Sequence, residues 1–241
     1  MLLQELRLYS WSNFLCCLTY ANMDIHKLAT YIVENVPWIV PVPFIIGIIK
    51  RKHLNNELKI IFSFTVNSVV FELISRTMAV YKMPNLYLFH LYVLTEFFFI
   101  SWFYHEIFKR YISAKTIPTI FLIFIIFSLI DTFVWHNPFT FNSYAKTLEC
   151  IIIVGYTVFY LYKTFDEFQD EDPSDTPVFW INAGFLFYFS GCLFLFTFSN
   201  FILTQGKPMG MITWALHAFF IVIMNSLISI GLWKLPLNRK P

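Results

Sequence analysis

Charge is scarce in this chain. Only 13% of its 241 residues are Asp, Glu, Lys or Arg, where a soluble domain carries about 25%. That leaves too little polar surface to cover a water-soluble core, and an integral membrane protein follows. Alternating strand patterning is also missing, which points away from β structure. Cysteine is confined to Cys16, Cys17, Cys150 and Cys192, with no CxxC pair, so no disulfide framework is expected. HxxxH and HExxH pairs, a GxSxG elbow and a phosphate loop are all absent. A retinal Schiff base needs a mid-helix lysine, and the lysine of "MITWALHAFFIVIMNSLISIGLWK" is Lys234, at its end. Nucleic acid is not an expected partner, and no cofactor is implied.

What is present is apolar. Hydrophobic residues make up 58% of the chain and aromatic residues 21%, with a mean hydropathy of +0.62. Seven stretches, at 29–50, 57–81, 85–108, 115–136, 141–163, 177–203 and 209–234, each hold the ~20 residues needed to cross the hydrocarbon core. Runs such as "TIFLIFIIFSLI" are apolar on every face, and a helix satisfies its own backbone groups in lipid. The expected fold is all-α, a polytopic bundle of seven transmembrane helices over 29–234. A cytoplasmic tail follows at 235–241. Residues 1–28 lack a basic n-region and a cleavage site, so they read as an interfacial helix or as an extension before a true start at Met23.

Lys and Arg set the orientation. The connections after helices 1, 3 and 5 and the tail hold 11 of them, Lys50, Arg51, Lys52, Lys109 and Arg110 included. The other side holds 5: Arg7, Lys27, Lys82, Lys146 and Lys207. The richer side is cytoplasmic by the positive-inside rule, with the N-terminus out and the C-terminus in. The acidic loop "DEFQDEDPSDTP" then lies inside and reads as a solvated segment. Pro37, Pro41 and Pro43 of "VPWIVPVPF" bend or break helix 1 in its outer half.

Polar residues inside the spans carry the functional signal, because a charge at mid-membrane costs roughly 2.5–3.5 kcal/mol on insertion scales. "FELISRTMAVY" places Glu72 and Arg76 one turn apart, in the order that suits an ion pair. The other spans add Glu34, His90, Glu96, Asp131, Glu149, Asn200, His217 and Asn225, nearly all in outer halves. Together with Glu72 and Arg76 they are the expected ligand-binding set, gathered in a polar cavity open to the outside. Five acids against one arginine and two histidines cannot all be ionised at one site without meeting a cation. On helix 5, Glu149, Ile153, Tyr156 and Tyr160 share a stripe that continues the polar face inward. Gly184 and Gly191 of helix 6 allow close packing.

The leading functional expectation is a receptor or sensor-like protein of the cell inner membrane. It would take a small-molecule or cation ligand from outside and signal to a separate cytoplasmic protein through Lys50, Arg51, Lys52, Lys109, Arg110 and the acidic loop. The alternatives are an intramembrane zinc hydrolase acting on lipid and a proton-coupled small-molecule carrier. The segments "PVFWINAGFLFYFSGCLFLFTFSNFI" and "WALHAFFIVIMNSLISIGLW" resemble uncharacterised seven-helix bacterial membrane proteins, some akin to membrane-embedded sensor modules. The resemblance covers some 50 residues, implies a bacterial inner-membrane protein, and draws attention to Trp180, Asn182, Asn200, His217 and Asn225.

Overall fold

A computed structural model describes residues 27–135, 143–167, 172–198 and 207–235. Within them are seven helices long and apolar enough to cross a membrane, and no strand. We number them α1 (Lys27–His53), α2 (Asn56–Val80), α3 (Leu86–Phe108), α4 (Thr116–Ile130), α5 (Ser143–Glu167), α6 (Pro177–Thr197) and α7 (Lys207–Trp233). The chain is a multi-pass helical membrane protein. Residues 1–26 and Asn200 lie outside the described residues.

The helices follow one another around the bundle, each packed on the next, and α7 closes the ring against α1. Aromatic side chains of α3 also reach across to α6, where Phe103 and Tyr104 pack on Phe185. Two ends result. We call the end where α1 begins the N-face and the end where α7 finishes the C-face.

Local sequence explains the element ends. In α1 the helix stops after residue 35. A 3₁₀ turn, Val36–Trp38, contains Pro37, and a fresh helix starts at Pro41. Proline donates no backbone hydrogen bond and suits a first turn. The Asn55 side chain caps α2 by accepting from the Leu58 amide at 2.9 Å. Past the other end of α2, the Met83 amide bonds back to Met78 at 2.9 Å and the Lys82 amide to Ala79 at 3.0 Å. This is a Schellman motif with Lys82 at a positive φ of 55°, where glycine is usual. At the C-face, the buried Lys50 donates to the Leu235 carbonyl at 2.5 Å. Its charge thereby meets the carbonyl end of α7.

Close packing of α6 on α7 depends on glycine. A Cβ on Gly231 would fall 2.7 Å from the Pro177 carbonyl, and one on Gly184 3.2 Å from the Met224 carbonyl. One on Gly191 would run into the Phe220 ring. Two of these contacts are with backbone, which cannot rotate aside, so small residues are required.

Candidate functional site

In the sequence, Lys146 counts only among the basic residues of the outer side. It stands within the first turns of α5, 1% exposed, in the interior of the bundle. Its ammonium pairs with the Glu96 carboxylate of α3 and, at 2.7 Å, with Glu149 three residues on. Both carboxylates are fully buried. The arrangement ties α3 to α5 with one cation between two acids. The faces of Tyr188, Phe189 and Phe196 of α6 stand 5.9, 5.3 and 5.6 Å from the same ammonium.

Neighbours extend the cluster. The Tyr92 hydroxyl donates to Glu96 at 3.1 Å and lies 3.4 Å from the Ser68 hydroxyl of α2. The Tyr188 hydroxyl stands 3.0 Å from the His217 imidazole of α7. Burial of so many charges is expensive, and ion pairs repay it only with close geometry and further hydrogen bonds. Glu96 has both. Neither Glu149 oxygen has a hydrogen-bond partner of good geometry beyond the ion pair.

Most of the remaining polar residues also make contacts of their own. Just beyond α4, a π-helical turn, Asp131–Trp135, holds the buried Asp131 against the start of α5, where its carboxylate accepts from the Ala145 amide at 3.1 Å. An acid at a helix N-terminus is favourable in itself. Beside it, the His90 imidazole of α3 bonds the Thr132 hydroxyl at 2.9 Å. Asn225 turns back on its own helix, donating to the Ile221 carbonyl at 2.9 Å. Glu34 is exposed near the N-face.

Glu72 and Arg76 pair with each other at 2.8 Å, with side chains 32% and 42% exposed. Arg76 also lies over Trp38 of α1 at 5.8 Å. Among the described residues neither makes a polar contact with the buried triad. Of the ten residues expected to share a pocket, the structure joins Glu96 and Glu149 through Lys146 and brings His217 alongside through Tyr188. These groups meet side chain against side chain, in the packed interior. Lys146, Tyr92 and Tyr188 are not among the site residues expected from the sequence; the signal that points to Lys146 is its spacing of three from Glu149, which puts both on one face of α5.

Polar groups also continue toward the C-face. Tyr104 of α3 donates to the buried Asn182 of α6 at 2.7 Å. Tyr156 and Tyr160 of α5 are buried as well. The stripe opens into a C-face vestibule of about 130 Å³, lined by Glu57, Arg110, Tyr111, Tyr160, Lys163 and Glu167. That volume holds about four waters. Here Tyr111 donates to Glu167 at 2.6 Å. Partial burial and that hydrogen bond push its hydroxyl up to about 12, so it stays neutral. Among the described residues no group of three His, Cys, Asp or Glu side chains is placed to hold a metal ion.

What stands of the resemblance of α6 and α7 to bacterial sensor modules is the seven-helix membrane architecture. The chain matches no protein-family model, no curated protein and no solved structure.

Proposed function

We propose that the chain is a receptor or sensor-like module of the cell inner membrane, with its N-face outside and its C-face in the cytoplasm. Basic residues support that orientation: without Lys146, the outer side keeps 4 of its 5 against 11 on the C-face.

One observation carries the reading. A single buried lysine is shared by two buried carboxylates from different helices. The site lacks one positive charge, so it favours a proton or a small cation. Ring faces around the Lys146 ammonium offer the chemistry that recognises organic ammonium groups. An arriving cation competes with Lys146 for the carboxylates and loosens the tie between α3 and α5. Both helices end at the vestibule, beside Arg110 and Lys163. A shift of α3 against α5 would therefore reach the basic C-face, where a cytoplasmic protein would read it. The ligand's differential affinity for the two arrangements sets the size of the response.

Native mass spectrometry of the detergent-purified protein, beside a Glu96→Gln, Glu149→Gln variant, tests this. The expected result is a small organic cation retained by the wild type and lost in the variant. Steady-state flux of that cation across vesicles would make the protein a carrier and overturn the receptor reading. A zinc-sized increment lost in the variant would do the same in favour of the hydrolase.

A further inference from the structure

Four buried side-chain atoms in the described residues lack a hydrogen bond of good geometry: both oxygens of Glu149, which meets Lys146 only as an ion pair, the Ser101 hydroxyl and the Tyr156 hydroxyl. They are not scattered. Glu149 belongs to the triad, and Ser101 on α3 and Tyr156 on α5 lie between it and the vestibule. The Ser101 and Tyr156 hydroxyls lie close together across that seam. Glu149, Tyr156 and Tyr160 follow one stripe of α5, at intervals of about 10 and 6 Å along its axis. Tyr160 lines the vestibule, and Glu167 beyond it reaches the C-face.

Buried polar atoms without protein partners are the places where internal water is held, and such water needs two to four polar partners. The Glu149 carboxyl at one end of the seam, the Ser101 and Tyr156 hydroxyls past Ile153, and the Tyr160 hydroxyl at the vestibule supply them. We infer that this seam is a hydrated proton path joining Glu149 to the C-face vestibule. The transfer balances without any co-reactant. Glu149 as the acid releases its proton to a seam water. Each water or hydroxyl along the way accepts one proton and passes another on, and the Glu167 carboxylate receives it and exchanges it with bulk water. Glu149 is left as the carboxylate partner of Lys146. Lys146 and Cys150 from α5 and Glu96 from α3 act on Glu149 directly, while Tyr92 from α3, Tyr188 and Cys192 from α6 and His217 from α7 face the Glu96 and Lys146 side of the triad. The inference rests on the triad and seam geometry and is independent of the receptor reading.

Infrared difference spectroscopy of the full chain in lipid nanodiscs tests it, by following the carbonyl band of a protonated carboxyl after transfer from H₂O to D₂O. The wild type should show such a band, absent in Glu149→Gln, that shifts promptly. Ser101→Ala, Tyr156→Phe should keep the band and slow its shift at least tenfold. That variant removes two hydroxyls that face each other and make no other protein hydrogen bond, so it should fold. Loss of the band in Glu96→Gln but not in Glu149→Gln would put the proton elsewhere and overturn the proposal. An unchanged exchange rate in the seam variant would overturn the path.

Discussion

Replacing Lys146 by methionine keeps the length of the side chain and removes its charge. Glu96 and Glu149 would then face each other, buried, without their cation. Removing one partner of a buried ion pair costs about 3–5 kcal/mol, because the other charge is left uncompensated. For a chain of 150–250 residues each kcal/mol moves the melting temperature by about 2–4 °C. Lys146→Met should therefore melt about 6–20 °C below the wild type, followed by tryptophan fluorescence in one detergent. Adding Glu96→Gln and Glu149→Gln removes the stranded charges, and an uncharged buried set of similar volume is often neutral or stabilising. The triple variant should recover most of the loss. A single variant within about 3 °C of the wild type would refute the buried-triad reasoning. So would a triple variant no more stable than the single.

Other substitutions separate structural roles from the site. Arg76→Gln with Glu72→Gln should change stability by less than about 1 kcal/mol, since the pair is part-exposed, and should leave any cation bound at the triad in place by native mass spectrometry. Gly231→Ala should destabilise by about 1–3 kcal/mol through its clash with the Pro177 carbonyl. Gly155→Ala meets nothing within 4 Å and should stabilise by up to about 1 kcal/mol; parallel thermal melts give both signs. Lys82→Gly should also gain up to about 1 kcal/mol by relieving the positive φ after α2, and a lower melting temperature would contradict that.

The helices were readable because lipid demands long apolar runs. The stretch 57–81 became Asn56–Val80 and 85–108 became Leu86–Phe108. The break in α1 was legible in Pro37 and Pro41, since proline cannot donate within a helix. The site was only half visible. Glu96 and Glu149 stand out in apolar surroundings, but which faces meet depends on helix rotation, and that is decided by packing such as Gly231 against Pro177. Lys146 lies within a turn of its helix start, where lysine normally marks the membrane edge. Its burial rests on partners from α3 and α6 that no local pattern reveals. Asp131 looked like part of a ligand pocket, and the structure shows it accepting from the Ala145 amide as well.

The central claim is that the Glu96–Lys146–Glu149 triad controls how α3 and α5 stand at the C-face. Spin labels at Ser113 and at the exposed Phe165 report that separation directly. They are placed with Cys16 and Cys17 replaced by serine, the buried Cys150 and Cys192 being shielded. Distance distributions would be compared between the otherwise wild-type chain and Lys146→Met in the same nanodiscs. The expected result is a shifted or second distance population in the variant, reverting when Glu96→Gln and Glu149→Gln are added. Identical distributions in all three would contradict the claim and leave the triad a static brace between two helices.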